Sequence, residues 1–595
     1  MLRVARVVIS ISLDKEFDYF CPSHLEAKPG MRVLVDFNRK KRIGIVVAVI
    51  SGPSFRKLKP IIDLLDSQAL LGEEHLLFAK QLSNFYPYAK GEFLFMMFPP
   101  YLKKPRKLDL QLSSVGVNSK NAVENKFIKG ESFLERYQLW KDIVKEKLKQ
   151  GSVLICFPQL TFLKAARKII ERDFPDQTKV IHSQEGEKEL FSSWSKTREN
   201  SLILGTRVAI FYYPTDLRLI VVEEENDHCY SQEEKPYHWL PDVAWVLSQI
   251  KSVGLILSGD YPSLATYKRI KEGTVRLLGK SNNSRPIGII GTSEFNKSGV
   301  INPILTDLLQ KAIQDKKKAI ILWNRKGFAQ VSCFSCGHIF KCQHCSGFLQ
   351  SSLNSQEGIC PYCQRKTLLP KICNQCNSGY LKSKGYGIQR LESSLRRMFP
   401  EVKIDNLANF SDDTQVTLST SKVLSHLYDP VKFDRGFVLD ADSFLNHLDY
   451  DATFTTFIYL RKLLRLLQDS LYVFTSHKDY YLFQQLNDRW EDFYELELRF
   501  RKKSQLPPFG LIAKITLRSK NKRTLLKNAK GLYDKLEGKF KEAYGPFEEK
   551  PFKLRDKFRY SLIVKTRKDS LSRKLIKEAV KDSRTSSIQL AVSLR

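Results

Sequence analysis

The sequence predicts a multidomain α/β protein, and three features of its 595 residues carry that reading. Short strand-like runs open the chain. Apolar strands then alternate with helical stretches through its middle, the pattern of a parallel sheet. Eight of its 11 cysteines crowd into a 44-residue window that splits the later part of that alternation. The length exceeds what one hydrophobic core can use and allows about three to five domains.

Residues 1–100 are read as a small β-rich domain: VARVVISI, MRVLVDF and RIGIVVAVI alternate with turns at Lys28-Pro29-Gly30 and Ser51-Gly52-Pro53, and an amphipathic helix comes next around Glu74 to Tyr86. Residues 101–132 are polar and weakly patterned, as in NSKNAVENK, and read as a linker. From 133 to 281 the strands SVLICF, KVIHS, SLILGT, LRLIVVEEE and VGLILSGD alternate with helices in a first α/β lobe. A second lobe takes residues 282–330 and 377–478, interrupted by the cysteine-rich insertion at 331–376; a small α+β domain closes the chain at 479–595.

Lysine and arginine exceed aspartate and glutamate by 97 to 64, and the excess of +33 is spread along the chain. A polyanion partner is the first reading, a general basic bias of the source proteome the second, and charge alone does not separate DNA from RNA. Apolar residues make up 42%, without a run long enough to span a bilayer. The opening MLRVARVVISISLDKEFDYF is interrupted by Asp14, Lys15 and Glu16 and reads as a strand, not a leader. The expectation is a soluble protein without a membrane partner.

The cysteine spacing is Cys333-x2-Cys336-x5-Cys342-x2-Cys345-x14-Cys360-x2-Cys363-x9-Cys373-x2-Cys376. A Cys-x2-Cys turn converges two thiolates on one ion, so four turns supply two tetrahedral sites. Clustering of this kind argues for metal in a reducing compartment; Cys21, Cys156 and Cys229 stand apart. Four thiolates per site leave no open position for water, so both zinc ions are expected to be structural. His338 and His344 are alternative ligands, and composition does not fix which turns pair.

At this point the surrounding residues resemble a known family. LWNRKGFAQVSCFSCG, the cysteine spacing and KGYGIQRLESSLRRMFPEVKIDNL resemble the second helicase lobe of PriA, the primosomal protein N′ family, with its inserted zinc segment. VARVVISISLDKEFDYFCP, MRVLVDFNRKKRIGIVVAV and LKPIIDLLD look like that family's 3′-DNA-end-binding domain, and LELRFRKKSQLPPFGLIAKITLRS with YGPFEEKPFKLRDKFRYSLIVK like its C-terminal domain. The resemblance implies two RecA-like lobes, here degenerate, between two DNA-binding domains. It implies one zinc on Cys333, Cys336, Cys373 and Cys376 and a nested one on Cys342, Cys345, Cys360 and Cys363. It also implies a bacterial, cytoplasmic, nucleoid-associated protein that works on branched DNA with single-stranded DNA-binding protein and other primosome or helicase-loading proteins.

Departures from that family are concentrated on one reaction. ATP-driven helicases need a glycine-rich loop ending in Gly-Lys-Ser/Thr, because backbone amides must wrap the phosphates and a lysine must neutralise them. Before SVLICF the chain instead reads FIKGESFLERYQLWKDIVKEKLKQG; its one Gly-Lys-Ser, Gly279-Lys280-Ser281, lies after the acidic motif and reads as a loop. The family's Asp-Glu-Glu-His becomes Glu223-Glu224-Glu225-Asn226, its Gly-Ser-Ala-Thr motif becomes Ser258-Gly259-Asp260-Tyr261, and its arginine motif becomes KLLRLLQDS. Arg465 lies one residue from the expected arginine finger. The linker is also too short for the family's winged-helix domain, which is expected to be deleted.

The resemblance places the 3′-end pocket at Phe17, Asp18 and Tyr19 with Lys59 as its cation: an aromatic for the terminal base, a carboxylate for the hydroxyl or base edge, and a lysine for phosphate. Strand packing is the competing role for Phe17 and Tyr19. Asn38 stands where the family has glycine and can adopt positive φ. Arg39, Lys40, Lys41 and Arg42 form a basic hairpin tip, either tracking the backbone or simply solvated.

The leading expectation is a fork- and D-loop-binding restart protein that promotes primosome assembly, with two structural zinc ions and without use of ATP and magnesium. Two other readings stay open: an active ATP-dependent 3′–5′ helicase with a divergent nucleotide site, and a zinc-ribbon adaptor acting mainly through protein partners.

Overall fold

The computed structural model describes all but residues 1, 12–13, 53–57, 109–123, 197–199, 233, 280–284, 293–300, 324–328, 334, 337, 352–356, 361, 380, 385–387, 421–422, 424–431, 446–448, 584–587 and 595. Most of the polar stretch before Glu124, and Lys280 and Ser281, lie outside the described residues.

The N-terminal sheet is antiparallel in the order β2-β1-β4-β3-β5, with β1 Leu2–Ile9, β2 Phe17–Phe20, β3 Arg32–Phe37, β4 Lys40–Gly52 and β5 Ile61–Leu64. Alternation gives it two apolar faces. Ala5, Val7, Ile9, Val33 and Val35 build the domain's own core, whereas Val8 and Ile45 pack under α1 (Glu73–Phe85) and α2 (Lys90–Met96). Those helices share one core with the next lobe through Phe78, Leu82 and Phe93.

That lobe is a parallel sheet ordered β12-β6-β11-β10-β7-β9-β8. Its elements run β6 Asn125–Lys129, α3 Phe133–Leu148, β7 Ser152–Cys156, α4 Leu160–Asp173, β8 Thr178–Ile181, α5 Glu187–Lys196, β9 Leu202–Gly205, β10 Leu217–Val222, α6 Leu240–Lys251, β11 Gly254–Gly259, α7 Leu264–Lys271 and β12 Arg276–Leu278. Every residue of β7 and β9 is buried, as expected of strands covered on both faces. The lobe starts earlier than the sequence suggests: β6 lies between β12 and β11, inside the stretch read as linker. Only Phe127 and Ile128 of this five-residue strand are apolar, too few to stand out against polar flanks.

The second lobe, also parallel, has the order β13-β23-β22-β14-β21-β20. It contains β13 Ile287–Gly291, α8 Pro303–Gln314 and β14 Ala319–Leu322 before the insertion. The insertion is an antiparallel sheet of β15 Ala329–Cys333, β16 Gln350–Ser351, β17 Glu357–Ile359, β18 Lys366–Leu368 and β19 Leu381–Lys384, closed at its base by the β15–β19 ladder. The lobe resumes with α9 Ile388–Met398, β20 Ile404–Asn406, β21 Val416–Ser419, β22 Phe433–Val438, α10 Asp442–Leu445, α11 Ala452–Leu463, β23 Leu467–Thr475, α12 Tyr481–Gln484 and α13 Trp490–Lys503. Here the expected boundary at 479 moves: Trp490, Phe493 and Tyr494 of α13 lie in the second lobe's core, with Phe493 stacked on Phe457 at 3.8 Å. Tyr261, Leu264 and Tyr267 of the first lobe enter the same core, so the lobes are packed together.

The last domain is an antiparallel sheet, β25-β26-β24-β27, built from β24 Gly510–Ser519, α14 Lys522–Glu537, β25 Glu542–Leu554, β26 Lys557–Arg567, α15 Ser570–Asp582 and β27 Gln589–Leu594. It docks on the N-terminal domain. The buried Tyr88 hydroxyl donates to Val592 O at 2.7 Å and accepts from Val592 N at 2.9 Å, and Arg573 donates to Phe85 O at 2.5 Å. Among the described residues, no helix is long and apolar enough to cross a membrane.

Candidate interlobe cleft, zinc sites and DNA-end pocket

β6, β11 and β10 are neighbours, and because they run parallel their C-terminal ends share one edge of the sheet, where open α/β folds bind ligands. There, Lys129 ends β6, Asp260 comes directly after β11, and Glu223-Glu224-Glu225 directly after β10. The β6–α3 connection is three residues, Gly130–Ser132. Its amides are already engaged: Gly130 N–H donates to Gly259 O at 3.3 Å, and Glu131 N–H to the Glu135 carboxylate at 2.9 Å. Ser132 caps α3 by accepting from Glu135 N–H at 3.2 Å. The helix start that would suit an anion therefore faces the chain's own Glu135.

Arg136, on the buried stripe of α3 with Phe133, Tyr137, Trp140 and Val144, reaches into the cleft. Its Nε meets Glu223 Oε1 at 2.5 Å, Nη2 meets Glu224 Oε1 at 2.9 Å, and Nη1 meets Asp260 Oδ1 at 3.3 Å. Gly130 admits it: a Cβ there would sit 2.9 Å from Arg136 Cγ. The second lobe completes the cluster from the end of α11, with Lys462 Nζ 2.7 Å from Glu224 Oε2 and Arg465 Nη1 2.9 Å from Asp260 Oδ2 and 3.4 Å from Glu224 Oε1. Three cations and three carboxylates thus neutralise one another across the lobe junction. Arg136 and Glu223 are fully buried, and Glu224 and Asp260 are each 2% exposed.

The electrostatics arise from this geometry. Burial alone would raise Glu224, but Lys462, Arg136 and Arg465 hold its carboxyl well below the usual range. Burial pushes Asp260 up to about 6 against the pull of Arg465. Burial also lowers the Lys129 ammonium to about 8; it donates to Asp260 O and lies 4.2 Å from the Tyr261 ring centre. Glu225 turns away from the cluster and accepts from Ser263 N–H at 2.7 Å, and Asn226 donates to Pro262 O at 3.3 Å. Arg465 reaches the cleft, and its partners there are carboxylates of the other lobe.

The cysteines form two tetrads, Cys333/Cys336/Cys373/Cys376 and Cys342/Cys345/Cys360/Cys363, with the sulfurs of each within 4.8 Å of one another. Sulfur separations of 3.5 Å (Cys333–Cys376), 3.7 Å (Cys336–Cys373) and 3.9 Å (Cys342–Cys363) match the roughly 3.8 Å edge of a tetrahedron with ~2.3 Å zinc–sulfur bonds. The all-thiolate donor sets fit Zn2+. Neither histidine joins a tetrad: His344 pairs with Asp556 at 2.6 Å, and His338 packs edge-on to Phe340.

In the N-terminal domain Phe17 packs edge-on against Phe37 at 4.9 Å, Tyr19 donates to Asp36 O at 3.1 Å, and Lys59 pairs with the Asp36 carboxylate at 3.1 Å. The three converge at the end of β3, beside the two-residue turn of Asn38 (φ 49°) and Arg39 (φ 58°). Asp18 points to the other side of β2, 3.4 Å from Arg6. Tyr19 is 4% exposed and belongs to the core, whereas Phe17 is half-buried. Residues Arg39, Lys40, Lys41 and Arg42 are all exposed.

Residues 6–99 match the PriA 3′DNA-binding domain (3′BD). Replication restart protein PriA of Rickettsia felis is 24% identical over 615 aligned positions that cover 95% of this chain and 94% of its own. Over nearly its whole length the chain is similar to this PriA protein. The PriA protein of Borreliella burgdorferi is 24% identical with 92% of each chain covered; that of Thermotoga maritima is 27% identical over 445 residues, and this chain spans 60% of its length. Among solved structures, RecG bound to a three-way DNA junction aligns with 64% of this chain and 44% of its own at 8% identity and a TM-score of 0.33. All five pocket candidates, Phe17, Asp18, Tyr19, Asn38 and Lys59, fall inside the span matching the PriA 3′DNA-binding domain.

Sequence reading missed Arg136 and Lys462. Arg136 had a signal: an arginine at a position whose helical neighbours Phe133, Tyr137 and Trp140 are all core residues demands buried carboxylate partners. Lys462 had none, since its partner is 238 residues away.

Proposed function

We propose that this PriA-like chain binds stalled or repaired replication forks and D-loops as a clamp-like platform for primosome assembly and does not use ATP to unwind them. One observation carries the reading: the cleft between the lobes is filled by the chain's own neutralised ion cluster. A nucleotide's phosphates would need free amides and unpaired cations there. Gly130 and Glu131 amides, Arg136, Lys462 and Arg465 are all engaged by protein acceptors. Opening the cleft would expose six charges that now neutralise one another, so the lobes stay closed over whatever they hold.

In this reading the N-terminal domain supplies the end recognition. The Phe17 ring offers the stacking face and Lys59 the phosphate contact, whereas Asp18, on the opposite side of β2 and paired with Arg6, stands apart from them. The exposed basic tip at Arg39–Arg42 and the excess of +33 hold duplex arms in a salt-dependent way. Such a protein acts in the cytoplasm beside the nucleoid, and single-stranded DNA-binding protein and helicase-loading proteins are the partners this role calls for.

Direct binding measurement tests it. A fork with a 3′-hydroxyl nascent end is expected to bind at least ~10-fold more tightly than linear duplex, with affinity unchanged by ATP. Phe17→Ala is expected to remove ~1–3 kcal/mol of that preference while leaving linear-duplex binding unaltered, because a stacking contact is lost without touching the phosphate contacts. Equal affinity for fork and duplex in the unaltered protein would overturn the end-recognition reading and favour a protein-directed zinc adaptor.

A further inference from the structure

The second zinc site does not belong to the insertion alone. β25 and β26 carry a two-residue turn, Arg555 (φ 48°) and Asp556 (φ 61°), out of the C-terminal domain and onto the Cys342-x2-Cys345 loop. Asp556 N–H donates to His344 O at 3.2 Å, and its carboxylate meets His344 Nδ1 at 2.6 Å. Lys553 Nζ donates to Gln343 O at 3.1 Å. The hairpin thus holds both residues between the first two ligands. Leu554 packs on the core that contains Cys342, Cys345 and Cys360.

We infer that the β25–β26 hairpin is the outer shell of the inner zinc site, so that this zinc fastens the insertion to the C-terminal domain while the outer zinc only folds the insertion. The inference rests on the tetrads holding zinc. Outer-shell groups fix ligand orientation and spread thiolate charge, and losing one typically costs ~10–100-fold in metal affinity. Exposure marks the asymmetry. Cys336 and Cys376 of the outer tetrad are exposed, whereas Cys342, Cys345 and Cys360 of the inner one are buried. A chelator therefore reaches the outer ion directly, but the inner ion only after the hairpin lifts. By linkage, the inner zinc and hairpin docking must strengthen each other by one and the same factor.

The test uses full-length protein loaded with zinc and challenged with excess 4-(2-pyridylazo)resorcinol, which both removes and reports the metal. Elemental analysis first reads the zinc content; a value of zero would overturn the metal reading itself, whereas two per chain leaves it standing. Release is expected in two phases of one equivalent, and Cys376→Ser should delete the faster. Lys553→Ala with Asp556→Ala should accelerate the slower phase by ~10–100-fold and leave the faster within about twofold. An unchanged slow phase, or equal acceleration of both, would overturn the inference. The reverse arm measures amide hydrogen exchange at 553–557. Cys360→Ser should speed it and Cys376→Ser should not; equal protection in the two variants would contradict the coupling.

Discussion

Replacing Arg136 with methionine is expected to destabilise the first lobe by ~3–5 kcal/mol, the largest effect of any single substitution in the cleft. The guanidinium sits within 2.5–3.3 Å of Glu223, Glu224 and Asp260 and is fully buried. Its removal leaves three carboxylates facing two cations, at least one of them uncompensated in a site that water cannot reach, and breaking a buried pair costs about that much. Repacking with a similar apolar volume offsets little, since the penalty comes from the stranded charge. A second variant separates charge from packing: Arg136→Met combined with Glu223→Gln leaves two carboxylates facing two cations and should recover more than half of the loss. Denaturant unfolding monitored by the fluorescence of Trp140, one turn further along the same buried stripe, reads both. A loss below ~1 kcal/mol for the single variant would mean that the cluster does not hold the cleft.

Removing zinc is expected to unfold the insertion and little else. Its strands are two to five residues long, and cysteines make up five of the eight residues in its buried core: Cys333, Cys342, Cys345, Cys360 and Cys373. Among the described residues only Val331, Phe340 and Leu349 add buried apolar side chains to those cysteines, too small a core to hold the module alone, and structural zinc in isolated fingers supplies an apparent ~10–16 kcal/mol. The second lobe should survive. The insertion enters and leaves through the paired strands β15 and β19, so melting it turns one excursion into a flexible loop, for which the closure entropy grows only slowly with length. Limited proteolysis after chelation should cut within 333–376 while the lobes and both terminal domains stay protected, apart from the hairpin turn at 555–556. Cleavage throughout the chain would show that zinc supports the whole molecule.

Much of this architecture could be read from residues alone. β7 to β11 each coincide with an apolar run, and the Cys-x2-Cys spacing announces two four-thiolate sites. Asn38 does adopt the positive φ expected of the residue standing in a glycine's place. The hidden parts were long-range. β6 has two apolar residues and looks like linker until β11 and β12 are seen to flank it. α13 comes after the last strand of its lobe and reads as the start of another domain; only its stacking of Phe493 on Phe457 assigns it. The acidic run Glu223-Glu224-Glu225 of the cleft was legible, but not its place in a filled site. Its ion pairs join residues 87, 124 and 238 positions apart, and no local periodicity encodes such pairs. The end pocket was legible in composition only: period-two alternation places Asp18 on the opposite side of β2 from Phe17 and Tyr19.

A self-neutralised cluster fills the cleft between the lobes, and all of the proposed function depends on it. DNA-stimulated ATP hydrolysis by the purified protein on a fork substrate, with strand separation monitored in the same reaction, tests this most directly. The account predicts phosphate release at the no-enzyme background, no strand separation, and no change in either with Glu224→Gln. Saturable turnover that unwinds the fork and disappears in Glu224→Gln would contradict it.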